Sequence, residues 1–141
     1  MRMMEKISLA LYLECFAFVT AAATQNFFGT YEGTGRACSG SLNVREKSVE
    51  WRSAFSVCHT ARYEALEKNN NSNPKRIVLH LEKTAKECRY PVIEMEQAGN
   101  YNWNVTGYPS LEAYRNRKLP DWSNSSLPER QTLSCPMVGP N

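Results

Sequence analysis

Apolar and polar residues alternate with a period of two through residues 40–58, and no other stretch constrains this chain as tightly. Leu42 and Val44 alternate with Asn43 and Arg45; after a polar turn, Val49, Trp51, Phe55 and Val57 alternate with Glu50, Arg52 and Ser56. A strand with one face in a core and the other in water has this pattern. With Arg45, Glu46, Lys47 and Ser48 as the loop, Val44 falls opposite Val49 and Leu42 opposite Trp51. Both apolar pairs then lie on one side of the sheet, so pattern and register agree. A helix would scatter the same residues around its circumference. The stretch predicts a β-hairpin, with Phe55 facing the core.

The remaining segments extend the same theme. Residues 27–34 predict a first strand, and Gly29, Gly33 and Gly35 mark a bend or bulge close to another strand. No helical pattern follows Gly33 and Gly35, so they are not a nucleotide-binding turn. The second hairpin strand continues toward Tyr63 and Leu66, and the Asn-rich run at 69–74 is a loop. Ile77, Leu79 and Leu81 alternate in the next strand, and Pro91 pushes the strand over 88–95 toward a sheet edge or bulge. After a turn at 97–100, Tyr101, Trp103 and Val105 alternate again. Residues 110–115 read as a seventh short strand in preference to a helical turn. Past Lys118 the composition turns to Pro, Ser and Asn, which predicts an irregular tail over 118–141. The sum is one all-β domain over 24–117, an antiparallel meander of six to seven short strands forming a barrel or sandwich.

Arg2 and Lys6 precede an apolar run over 7–19, and Ala21, Ala22 and Ala23 follow it, as in an export signal occupying 1–23. The run falls short of the ~20 apolar residues a bilayer requires, so no stable membrane span is expected once the signal is removed. Cys38, Cys58, Cys88 and Cys135 then remain, an even number that implies two disulfides in an exported domain. Strand parity puts Cys38 on the face of Phe55 and turns Cys58 away, which disfavours their pairing. Cys58–Cys88 and Cys38–Cys135 are the preferred bonds, and the expected location is secreted or periplasmic. A net charge of +3, with basic and acidic residues interleaved, argues against nucleic acid as a partner.

Catalytic material is sparse. The chain has two histidines and a single aspartate, Asp121. Cys58 and His59 are strand neighbours and point to opposite faces, so they do not make a thiol–imidazole pair. Cysteines separated by 20, 30 and 47 positions lack the close pairing of structural zinc ligands, and neither metal nor cofactor is expected. Glu82, Glu87, Glu94 and Glu96 could supply a hydrolytic carboxylate pair, but exposed strand glutamates are the ordinary explanation. The distinctive local feature is aromatic: Tyr101, Trp103, Tyr108, Tyr114 and Trp122 lie among Asn102, Asn104, Asn116 and Asn124. Rings supply contact area and amides supply direction, which suits sugars or extended peptides. Tyr108, Trp122, Tyr114 and Trp103 are therefore the candidate binding residues. Trp103 shares a face with Tyr101 and Val105 and so competes for a place in the core.

In outline, a Gly-containing first strand ahead of a β-meander resembles lipocalin-like barrels. That resemblance implies a carrier of a small apolar ligand. The bulk of Trp51, Phe55, Leu79 and Trp103 predicts a filled interior instead. The favoured expectation is an exported, non-enzymatic β domain that binds a protein, a peptide or a cell-envelope polymer, an inhibitor of a secreted hydrolase being one form. A carboxylate-dependent hydrolase is the remaining alternative.

Overall fold

In the computed structural model, which describes residues 27–69, 71, 73–119 and 131–141, the hairpin forms in the expected register. Leu42 faces Trp51 and Val44 faces Val49 across β2 (Gly40–Val44) and β3 (Ser48–Arg52), and all four are buried. Gly40, at φ 142°, is where β2 passes closest to β3: a Cβ there would sit 1.9 Å from the Arg52 carbonyl oxygen. Side chains are excluded from such a position by contact as well as by backbone conformation.

The hairpin is part of a closed barrel of eight antiparallel strands in sequence order. β1 is Gly29–Gly33, β4 Val57–Asn69, β5 Arg76–Leu81, β6 Val92–Gly99, β7 Asn102–Tyr108 and β8 Leu133–Val138. The all-β meander and both disulfides are as expected, while the strand count and three local features differ.

First, β3 stops at Arg52. The Ser53 N–H donates to the Ser56 carbonyl at 2.9 Å, closing a turn, and β4 begins at Val57. Phe55 sits in this turn and is 66 % exposed, not in the core. Trp51 pairs with Cys58, and antiparallel partners share a face, so inward parity switches from odd to even numbers across the turn. The parity argument against Cys38–Cys58 therefore does not hold. The bonds are nevertheless Cys38–Cys135 and Cys58–Cys88, with Cα separations of 5.5 Å and 4.3 Å.

Second, residues 110–115 are not a strand but belong to a short helix, α1 (Leu111–Asn116). The Ser110 hydroxyl accepts from the Ala113 N–H at 3.0 Å, and Glu112 lies in the first turn, both of which stabilise a helix start. Third, the tail is not irregular throughout, because β8 pairs with β7 over six positions. Cys135 and Met137 point inward between exposed Ser134, Pro136 and Val138.

The inward side chains of all eight strands fill the barrel, with Leu42, Trp51, Leu79, Ile93, Met95 and Trp103 each 1 % exposed or less. Burying each such side chain contributes about 1.5–3 kcal/mol, and this layer is the main source of stability. A second, smaller cluster lies on the outer wall, where Ala113 and Tyr114 of α1 cover Val78, Val92 and Tyr108. Val78 is thus buried although it alternates outward from Ile77 and Leu79.

The two ends of the barrel are closed by different means. Connections 34–39, 53–56 and 82–91 emerge at one end, here called the rim, and both disulfides lie there. At the opposite end Phe27 and Tyr31 meet Trp103 edge to face, at centroid distances of 5.9 Å and 5.3 Å. The Trp103 indole N–H donates to the Pro140 carbonyl at 2.7 Å, and the Tyr31 hydroxyl donates to the Phe27 carbonyl at 2.7 Å. The closing seam is narrow: β1 and β8 are in register at two positions, Glu32 with Val138 and Gly33 with Met137. Cys38–Cys135 ties β8 to the connection leaving β1 and so staples this seam covalently.

Candidate functional site

The rim combines exposure with rigidity. Ser53 and Ala54 follow Arg52 where a strand would need further packing side chains, and the chain reverses there. The buried Ser56 hydroxyl accepts from the Arg89 N–H at 3.0 Å, and the Val57 N–H donates to the Glu87 carbonyl at 2.9 Å. Cys58–Cys88 adds a covalent link between the same two segments. Residues 56–58, the end of the turn and the start of β4, are therefore riveted to the 82–91 connection at three points, and Phe55 stands directly before them. A groove of about 410 Å³ runs beside it, lined by Phe55, Val57, Lys86, Glu87 and Arg89 among others. On the far side of Arg89 a second hollow of about 440 Å³ is walled by Tyr90, Pro109 and Gln131.

Cations predominate on these connections. Arg36, Lys83, Lys86 and Arg89 are exposed there, against Glu82 and Glu87. Arg52, at the edge of the turn, pairs with Glu50 at 2.6 Å, and that hydrogen bond together with one from Thr60 holds the Glu50 carboxyl below its ordinary pKa.

The sequence-predicted aromatic residues fall into separate places. Trp103 is in the lumen. Tyr108 and Tyr114 are buried together on the outer wall, with ring centroids 5.3 Å apart. Trp122 lies outside the described residues. Tyr101 is 58 % exposed in the β6–β7 turn, at φ 62°. Phe55 was hidden to sequence reasoning because it falls on the hydrophobic parity of β3. The Ser53-Ala54 pair, small residues interrupting the alternation, was the available signal of a turn.

Of the four glutamates, Glu94 is held by Arg76 at 2.6 Å and Arg117 at 3.8 Å on the outer wall. Arg76 also pairs with Glu67, and the Tyr114 hydroxyl donates to Glu67 at 2.6 Å while accepting from Arg76 at 2.8 Å. Burial opposes the charge on Arg76, but its hydrogen bonds to Glu67, Glu94 and Tyr114 outweigh that and raise its pKa. Hydrogen bonds from Tyr114 and then Arg76 lower that of Glu67. Arg117 stacks on the Tyr114 ring at 3.9 Å from its centroid. This network clasps α1 to the barrel. Glu82 and Glu87 sit instead in the rim connection, and His59 is exposed beside the disulfide-bonded Cys58. Among the described residues no group of three or more His, Cys, Asp or Glu is placed to hold a metal ion, and nothing positively indicates catalysis.

Two disulfides mark a chain that matures in an oxidising, extracytoplasmic setting. Among the described residues no helix is long and apolar enough to cross a membrane. Compared with known protein families, curated proteins and solved structures, the chain finds no match in any of the three.

Proposed function

We propose that this protein is an exported, non-enzymatic binding domain, secreted or periplasmic, whose braced rim engages an acidic segment of a partner protein. The observation that carries this reading is Phe55: a large apolar side chain, 66 % exposed, on a turn fixed by a disulfide and two hydrogen bonds. Aromatic anchors on pre-organised loops lose little conformational freedom when they bind, which is where much of the cost of association otherwise lies. Lys86 and Arg89 line the groove beside Phe55 and favour carboxylates in the partner. Insertion of Phe55 into the cleft of a secreted hydrolase, as an inhibitor, is one form such binding takes. A filled lumen gives the apolar-ligand carrier reading no comparable support.

Peptides selected from a random displayed library against the immobilised, oxidised protein test the reading. Acidic sequences should dominate, and Phe55→Ala should weaken the best of them by about 2 kcal/mol or more, roughly thirtyfold in Kd. The melting temperature should hardly move, because the ring has little packing to lose. Selected peptides that bind Phe55→Ala and Arg89→Ala as tightly as the original chain would place binding elsewhere and defeat the proposal.

A further inference from the structure

A second concavity lies at the barrel end opposite the rim and differs from it in chemistry. It is a groove of about 590 Å³ lined by Asn73, Pro74, Lys75, Gln97, Ala98, Gly99, Asn100 and Asn141. Its volume falls inside the roughly 300–1,000 Å³ range of small-molecule sites. Four of the eight lining side chains are carboxamides, one is a cation and none is a carboxylate. That set does not match a metal ion or a strong anion, and its polar walls do not match a lipid chain. Carboxamides each carry both donors and an acceptor, as vicinal hydroxyl groups do.

The walls are positioned by the fold. The Gln97 N–H donates to the Lys75 carbonyl at 2.9 Å, and the Gly139 N–H donates to the Tyr101 carbonyl at 2.9 Å, which brings the chain end beside the β6–β7 turn. Gln97 Nε2 donates to Asn141 Oδ1 at 3.1 Å. That bond uses one atom of each amide. Each amide has a second polar atom, Gln97 Oε1 an acceptor and Asn141 Nδ2 a donor, and an acceptor together with a donor is what a diol requires.

Tyr101 supplies an independent sign. It follows Asn100 in the β6–β7 turn, next to but not among the residues that line the groove, and holds φ 62°, a left-handed conformation that is strained for a bulky residue. Its ring does not offset that strain by packing, since it is 58 % exposed. An exposed aromatic next in sequence to a groove-lining amide is available to stack on a sugar ring.

We propose that this groove binds a neutral saccharide, with Asn73, Gln97, Asn100 and Asn141 hydrogen-bonding its hydroxyls and Tyr101 stacking on one ring face. The site is separate from the rim and does not depend on the partner proposed there.

Titration of the nitrogen-15-labelled protein with cellotriose, maltotriose and triacetylchitotriose, followed by amide NMR, tests it. At least one should shift the side-chain amides of Asn73, Gln97 and Asn100 and the backbone amide of Tyr101 saturably. Asn100→Ala and Gln97→Ala should each weaken that titration about fivefold or more, as expected for one lost hydrogen bond. Asn73→Ala, in a loop, serves if Gln97→Ala disturbs the strand, and spectral dispersion reports the fold of each variant. No saturable shift with any of the three at about 20 mM, a limit that would register even millimolar affinity, overturns the proposal. So do shifts that cluster around Phe55, shifts unchanged in the variants, or the same shifts produced by inorganic phosphate alone, which would make the groove an anion site.

Discussion

Replacing Cys38 and Cys135 together by serine should cost more stability than replacing Cys58 and Cys88. The first bond closes a loop with a sequence separation of 97 and the second one of 30. In the chain-entropy treatment these loops correspond to roughly 4.7 and 3.6 kcal/mol at room temperature. Topology sharpens the contrast. β1 and β8 share two register positions, so without the Cys38–Cys135 staple the barrel can part along that seam while its other pairings persist. Against a typical net stability of about 5–15 kcal/mol, losing either bond leaves a domain close to its threshold. Urea unfolding followed by tryptophan fluorescence gives the two losses, and hydrogen exchange locates them. In the Cys38→Ser/Cys135→Ser variant, amides of β1 and β8 should lose protection ahead of those in β6 and β7. In the Cys58→Ser/Cys88→Ser variant the loosening should concentrate in residues 53–58 and 82–91. Equal or reversed losses would refute the reasoning, as would protection of β1 and β8 matching that of β6 and β7 in the first variant.

Three further outcomes follow from individual side chains. Trp51 Nε1 is buried with no hydrogen-bond partner among the described residues, whereas Trp103 Nε1 is bonded to Pro140, so Trp103→Phe should cost about 1–3 kcal/mol more than Trp51→Phe in chemical denaturation; equal costs would contradict this. Burial pushes the Tyr108 phenol up to about 12, and burial raises Tyr31 as well. Unfolded chains ionise tyrosine near 10, so the folded state holds more protons above that pH and stability should fall as pH rises from 10 toward 12, with phenolate absorbance rising late for these two groups. Glu67 is shifted the other way: its stabilisation is present above the ordinary value of 4.5 and is lost as pH falls through its lowered folded pKa. Tyr114→Phe removes the largest cause of that shift and should flatten the acid limb of the urea midpoint between pH 6 and 3; an unchanged limb would exclude the clasp as its source.

Where the alternation was long, it carried the structure. Leu42, Val44, Val49 and Trp51 fixed a register, and Ile77, Leu79 and Leu81 with Trp103 and Val105 gave strands whose inward residues are now in the lumen. The limits are equally physical. Phe55 fell on the same parity as Trp51, and this turn, by pairing Trp51 with Cys58, reverses inward parity, so periodicity alone assigned an exposed ring to the core. β8 offers two inward positions and contains Pro136, too short a pattern to stand out of a polar tail. Tyr108 and Tyr114 sit on the outer wall, where burial is created by α1 lying across the sheet, a tertiary contact with no period in the sequence. The two grooves are assembled from connections distant in sequence. Residues 73–75, 97–100 and 141 meet because β5, β6, β7 and β8 lie side by side, which brings the approach to β5, the end of β6 and the chain after β8 to one pole.

An even number of antiparallel strands returns a chain to the pole from which it set out. Residues 27 and 141 accordingly share one pole, the pole of the amide groove, and Phe55 occupies the other. The chain thus enters the barrel at residue 27 and reaches residue 141 at the pole opposite Phe55. A saccharide surface held in the groove would orient the barrel accordingly, standing it upright with the braced pole outermost.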